Sequence, residues 1–236
     1  MPRNRLLLLA GAAAAAIVVV VVLIAVGSGG TKNAATTTSA TTTVPVKTKP
    51  KVSIFAGVPQ HGDTLGRANA PVTISVFEDP QCPFCRQWDL ETLPTVIERY
   101  VKTGRVKLVY RGIEIIGPNS VLGLQAIYAA ALQNKLWTFS DELYKLQGAE
   151  QSGWITSAVI RRAARATGAD GAAILGALGS PVVRAGMTAA EKEATAEAVQ
   201  GTPTFVIDRP PAIPQQLSVA ALDSATFTAA LDAAIG

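Results

Sequence analysis

The apolar positions change their period several times along the chain, and each change marks an element. Leu6 to Val26 is a run of 21 residues without a charge or a proline. At 1.5 Å rise per residue, such a run is long enough for a hydrocarbon core of about 30 Å. Residues 27–52 then lose all apolar periodicity. Gly, Ser and Ala prevail there with eight threonines, Pro45 and Pro50, the composition of a flexible linker. Val52 to Phe55 is a short strand candidate. Val72 to Phe77 alternates apolar and small polar residues with β-branched character and reads as a buried strand. Leu93, Val96, Ile97, Tyr100 and Val101 recur at the spacing of an amphipathic helix. That helix is expected to reach Thr103, with a kink at Pro94 and a stop at Gly104. Val106 to Tyr110 is a second strand, parallel to the first through the helical crossover.

From Ser120 to Gln200 the pattern is helical throughout. Helices are expected at 120–133, 138–147, 156–167, 170–178 and 182–199, punctuated by Gly153, Gly168, Gly179 and Pro181. Leu124, Ile127, Tyr128, Ala131 and Leu132 form one core-facing stripe. Trp137, Phe139 and Trp154 read first as core and second as the lining of a substrate groove. The period then returns to that of strands. Thr204 to Asp208 is a strand, Arg209-Pro210-Pro211 a turn, and Leu217 to Ala220 the hairpin partner. Ala225 to Ile235 is a closing helix with Ser224 as its N-cap. Strands separated by helices predict an α/β domain.

Charge alters one part of this picture. Six of the 21 Lys and Arg precede residue 53, where no acidic residue occurs. The folded part therefore holds 15 basic and 17 acidic residues. A nucleic-acid footprint belongs on a folded face, so that class of function is excluded. Arg3 and Arg5 precede the apolar run and orient it with the N-terminus in the cytoplasm. The expected order is a stub at 1–5, a membrane anchor at 6–26, a linker at 27–52 and one domain at 53–236. A cleaved signal peptide is the other reading, since Ala25-Val26-Gly27 offers small residues. Its apolar region is usually about 7–15 residues, shorter than this one.

Cys82 and Cys85 are the only cysteines, three apart, where a strand ends and a helix begins. Pro83 suits the first helical position, where a missing N–H costs nothing. Free N–H groups and the positive end of the helix dipole favour thiolate over thiol there. Cys82 is thus the candidate nucleophile and Cys85, a turn further in, the candidate resolving thiol. Three other readings compete. A structural disulfide closing four residues is worth only about 2 kcal/mol, against roughly 4.7 for a hundred-residue loop. Two thiolates and the single histidine, His61, cannot supply four zinc ligands, so no metal is expected. An inert buried pair is the last. Redox chemistry is the favoured reading for such a pair after a strand in an α/β pattern. Glu78 and Asp79 lie close by, either as proton carriers or as solvated loop carboxylates. His61, among polar turn residues, is assigned no role.

Asn69-Ala70-Pro71-Val72-Thr73-Ile74, Phe77, Asp79 and Gln81-Cys82-Pro83-Phe84-Cys85-Arg86 resemble the opening of DsbA-type thiol–disulfide oxidoreductases. Gly201-Thr202-Pro203-Thr204-Phe205-Val206-Ile207 resembles a second stretch of that family. Gly117-Pro118-Asn119-Ser120, Trp137 and the Gln147–Gly153 region are similar to its helical part. The resemblance implies a thioredoxin-like fold, a central mixed β-sheet flanked by helices, with a helical insertion at about 118–200. It implies catalytic Cys82 and Cys85, tuned by Pro83 and Phe84. It also implies a cis-proline, Pro203, which with Thr202 presents backbone to an extended substrate. No cofactor is implied. The partners would be reduced exported proteins and a membrane redox protein of the DsbB or vitamin K epoxide reductase type. Two alternatives stand beside a disulfide-forming enzyme. One is a reductase or isomerase using the same site; the other is a tethered, non-catalytic peptide-binding domain.

Overall fold

The computed structural model describes residues 53–236. The expected anchor at 6–26 and linker at 27–52 lie outside the described residues. Among the described residues no single helix is long and apolar enough to cross a membrane.

Six strands form one mixed sheet. β1 (Gln60–His61) and β2 (Thr64–Leu65) make a short hairpin on one side. β3 (Val72–Glu78) and β4 (Val106–Gly112) run parallel, with Ile74 opposite Leu108. β5 (Thr204–Asp208) lies antiparallel on the other side of β3, with Val76 opposite Phe205, and β6 (Gln215–Gln216) completes that edge. The order is β1-β2-β4-β3-β5-β6. β3 is central because Val72, Ile74, Val76 and Phe77 supply apolar atoms to both of its faces, and all four are buried.

Two expectations are corrected here. The described part of the strand expected at 52–55 is a turn instead, with Ala56 N donating to Ser53 O at 2.9 Å and Val58 N to Phe55 O at 3.0 Å. Phe55 buries its ring in the core from that turn. The hairpin partner of β5 begins earlier than 217–220. Val206 faces Gln216, and the ladder ends where Leu217 N donates to Phe205 O at 2.8 Å.

The helix after the cysteines has an unusual pitch. α1 (Pro83–Gln87) and α2 (Leu93–Val96) alternate with two wide segments, Trp88–Thr92 and Ile97–Val101. Leu93 N bonds back to Trp88 O and Lys102 N to Ile97 O, five residues in each case. The burial pattern explains the wide turns. Cys85, Asp89, Leu93, Ile97 and Val101 are all buried, four residues apart, and so are Trp88, Thr92, Val96 and Tyr100. At 3.6 residues per turn, a four-residue repeat would drift about 40° each time and spiral off the core. Inserting wider turns holds the stripe on one face. The first of them also precedes Pro94, where a regular helix would miss a hydrogen bond.

Five helices fill the span between β4 and β5: α3 (Pro118–Ala131), α4 (Leu136–Lys145), α5 (Ser157–Thr167), α6 (Gly171–Ala177) and α7 (Pro181–Ala196). Each lies within one to three residues of its expected place. Their caps follow the sequence: Thr156, Asp170 and Ser180 each accept from the first turn of the helix that follows. Trp137 and Phe139 are core residues rather than groove lining, and Trp154 packs partly buried against the same core. α8 (Ser224–Ile235) closes the fold. Its N-cap is Asp223, not Ser224, because one carboxylate oxygen accepts from both Ala225 N and Thr226 N. Ser224 instead donates to Glu91 O at 2.9 Å.

Candidate active site

The end of β3 delivers Glu78 and Asp79 into the interior, and the chain then turns through Pro80 and Gln81 to the start of α1. Cys82 is its N-cap residue, in extended conformation, and Pro83 opens the helix. Cys82 and Cys85 are both free thiols. Cys82 is 3 % exposed and Cys85 fully buried, so even the candidate nucleophile is nearly covered. Tyr144 from α4 and Ile116 from the loop before α3 pack against the pair.

The far wall comes from the other half of the sheet. The Thr202–Pro203 bond is cis, and the Cys82 thiol donates to Thr202 O at 3.3 Å. Phe84, 60 % exposed, Gln87, Thr202, Pro203, Val219 and Leu222 line an open groove of about 460 Å³ beside it. The residues singled out from sequence, Cys82, Cys85, Pro83, Phe84, Thr202 and Pro203, therefore converge on one place.

The two sulfurs differ in protonation. The Cys82 thiol is lowered to about 6, chiefly because the Cys85 thiol donates to the Cys82 sulfur. Burial opposes this, while the Thr202 side chain and the backbone N–H groups of Cys85 and Phe84 support it. The helix start contributes, as expected from sequence, but the neighbouring thiol contributes more. Cys85 is pushed well up, first by burial, then by its bond to Cys82 and by the charge of Glu78. Glu78 itself is pushed well up by burial and then by the Cys82 charge. Among the described residues neither of its carboxylate oxygens has a hydrogen-bond partner.

Asp79 is equally buried and differently used. Its oxygens accept from Gln81 N at 2.8 Å, Ser120 Oγ at 2.6 Å, Ile115 N at 2.7 Å and Ile116 N at 2.9 Å. It ties the loop carrying Ile116 to the cysteine turn. Gln81 extends the tie, donating to Ser120 Oγ at 2.9 Å and accepting from Gln151 N at 2.9 Å. Helix α3 fits against this turn through Gly123, where a Cβ would stand 2.8 Å from Pro80 Cγ. The solvated reading of Glu78 and Asp79 is overturned: both are 0 % exposed.

A family model described as thioredoxin matches residues 60–232. The chain belongs to the thioredoxin family. The match accords with the sheet order, the cysteine pair at the start of α1 and the cis-proline opposite. A probable disulfide bond formation protein D of Bacillus anthracis is 38 % identical over 100 residues, 41 % of this chain and 46 % of the relative. The chain thus matches just under half the length of that relative. The oxidised crystal structure of BdbD from Bacillus subtilis superposes with a TM-score of 0.63 at 18 % identity, covering 75 % of this chain and 97 % of that one. DsbA from Chlamydia trachomatis gives 0.61 at 18 % identity, over 79 % and 95 %. The chain shares the fold of these structures, with α3–α7 as the helical insertion. Sequence reasoning missed Tyr144, Ile116 and Gln81 at this site, and it left Glu78 and Asp79 undivided. No local spacing marks them, because the insertion and the loop before it bring them together.

Proposed function

We propose that this protein is a membrane-anchored, extracytoplasmic thiol–disulfide oxidoreductase that introduces disulfides into exported proteins. The observation that carries this reading is the split between the sulfurs: Cys82 ionises at about 6 while Cys85 holds its proton. A substrate thiolate attacks the Cys82 sulfur of the oxidised pair, the Cys82–Cys85 bond breaks, and Cys85 leaves and takes a proton. A second substrate thiolate attacks its own partner sulfur in the mixed disulfide and releases Cys82 as a thiolate. The low Cys82 value makes it a good leaving group in that second step. Glu78 is the group near Cys85 able to give the proton, since burial keeps its carboxyl protonated well above the usual range.

The groove along Thr202 and Pro203 supports recognition of an extended chain through main-chain atoms, with Phe84 offering apolar contact independent of sequence. Substrates would be reduced exported proteins. Reoxidation of the dithiol falls to a membrane redox protein of the DsbB or vitamin K epoxide reductase type. The segment at 6–26 serves as the anchor and 27–52 as the tether. A reductase or isomerase would use the same atoms in the other direction.

One titration tests both roles and direction. The protein is equilibrated with glutathione buffers, then alkylated with iodoacetamide and mapped. Cys82 is expected to react with a pH midpoint of about 6, and Cys85 to resist. The pair is expected to be more oxidising than thioredoxin at about −270 mV. A potential at or below that of thioredoxin overturns the direction, and equal reactivity of the two thiols overturns the roles.

A further inference from the structure

The helical insertion grips the cysteine turn through bonds that the mechanism above does not use. The turn Asp79-Pro80-Gln81-Cys82 closes with Cys82 N donating to Asp79 O at 3.0 Å. The end of α4 and the residues just after it lie against this turn. Gln147 Nε2 donates to Pro80 O at 2.9 Å and to Cys82 O at 3.1 Å. Both hydrogens of that amide are thus spent, one on each side of Gln81. Tyr144 Oη donates to Asp79 O at 3.3 Å. The return bond comes from α1, where Arg86 Nε donates to Tyr144 O at 3.1 Å. Gln147 N donates to the same carbonyl at 3.1 Å, which seats the backbone of the glutamine. Lys145, between them in sequence, pairs instead with Asp141 at 2.5 Å and Glu142 at 2.7 Å on its own helix.

The two carbonyls held by Gln147 bracket the backbone of Cys82. Pro80 has no N–H, so its carbonyl is the only backbone atom by which that residue can be fastened. The Cys82 carbonyl also accepts from Arg86 N at 3.1 Å, the first bond of α1. With both ends of the 80–82 segment fixed, the Cα–Cβ bond of Cys82 has one direction, and a single side-chain torsion remains to aim the sulfur. That sulfur must meet the Cys85 thiol within its own helix and the Thr202 carbonyl 120 residues away. Gln147 does not line the groove beside Cys82. Its bonds therefore act on the nucleophile and not on what the groove holds.

We infer that Gln147 is a positioning residue: its amide clamps the carbonyls of Pro80 and Cys82, so that the insertion aims the Cys82 sulfur along the line on which Cys85 attacks it. The inference rests on the oxidoreductase reading above. The reaction that exposes it starts from the dithiol. The Cys82 thiolate attacks glutathione disulfide, and one glutathione leaves as a thiolate. Cys85 then attacks the Cys82 sulfur, and the second glutathione leaves and carries away the Cys85 proton. Two electrons have passed from the pair to glutathione disulfide, and the Cys82–Cys85 bond has formed. In the first step the small disulfide adjusts its own approach. The second needs three sulfurs nearly in line, two of them held by the protein, so it is the step that senses aim.

The test follows reduced full-chain protein reacting with glutathione disulfide, by rapid mixing, acid quench and mass analysis. Capture at Cys82 speeds up with glutathione disulfide concentration and resolution by Cys85 does not, which separates the two. Gln147→Met keeps the length and bulk of the side chain but has no donor. It is expected to slow resolution by at least about tenfold while capture stays close to the wild-type rate. Gln147→Lys, whose ammonium can donate to both carbonyls, is expected to restore resolution. Should Gln147→Met fail to fold, Gln147→Glu carries the same expectation, since at neutral pH its carboxylate accepts and does not donate. Resolution at the wild-type rate without the donor overturns the inference, even where the melting temperature falls, because the bonds are then structural only. Equal slowing of capture and resolution, or no recovery in Gln147→Lys, overturns it too. A wild-type protein that forms no mixed disulfide at all defeats instead the oxidoreductase reading.

Discussion

The acidic pair that closes β3 looks into two unlike regions of the interior. Asp79 faces the loop before α3 and accepts four hydrogen bonds, two from side-by-side backbone N–H groups at Ile115 and Ile116. Glu78 faces the sulfurs and the helix that carries them, and among the described residues neither of its oxygens has a hydrogen-bond partner. Both are 0 % exposed. Burial alone therefore does not decide what a carboxylate does; the supply of donors does. On Asp79's side the interior supplies four donors, and their bonds to the carboxylate hold the loops in register. On Glu78's side no such donors are supplied among the described residues, and burial pushes the carboxyl well up.

The contrast can be broken most forcefully at Asp79. Asp79→Ala strips four neutral donors of their acceptor, and leaving a buried donor unpaired costs about 1–3 kcal/mol. Urea unfolding is the measurement, and a loss below about 1 kcal/mol would erase the difference between the two regions. Glu78→Gln is expected to act in the opposite sense and more weakly. A carboxyl raised in the folded state contributes its stability below the unfolded value of about 4.3 and loses it as pH rises through the folded value. The variant should therefore gain nothing in acid and gain at neutral pH. The expected rise in melting temperature there is about 2–4 °C for each kcal/mol recovered in a domain of this size. A variant less stable than wild type at neutral pH would make Glu78 a structural acceptor like Asp79. Lys145→Met sharpens the comparison from its edge. Lys145 is half exposed, at 46 %, so losing its pairs should cost under about 1 kcal/mol. A larger loss would mean that the ion pair, rather than burial, governs the acids behind it.

How much of this was readable along the chain follows from the range of the interactions. The parallel pair β3 and β4 and the helical stretch are carried by periodicity, whereas the meeting of Cys82 and Cys85 with Thr202 and Pro203 was implied only by the resemblance of two motifs to a known family. The stripe Leu93, Val96, Ile97, Tyr100 and Val101 was legible as a helix. Its pitch was not, because the four-residue repeat becomes clear only once Cys85, Asp89 and Thr92 are known to be buried too. The strand expected at 52–55 illustrates the opposite weakness: four apolar or small residues suffice for the pattern, but Phe55 finds its core contact from a turn. The separation of Glu78 from Asp79 depends on Ser120, Ile115, Ile116 and Tyr144. Each of these lies 36 or more residues away from Asp79, beyond any local signal.

The contact between Cys82 and Thr202 has a consequence in time as well as in space. Those residues are 120 apart in the chain, with the whole insertion between them. At about 5–20 residues per second of synthesis, the thiols precede their opposite wall by roughly 6–24 s. During that interval the nascent chain carries a dithiol with no Thr202 beside it and no groove to select what it meets. The same two sulfurs thus begin without their far wall, and residues 202–236, the last to be made, complete the site around them.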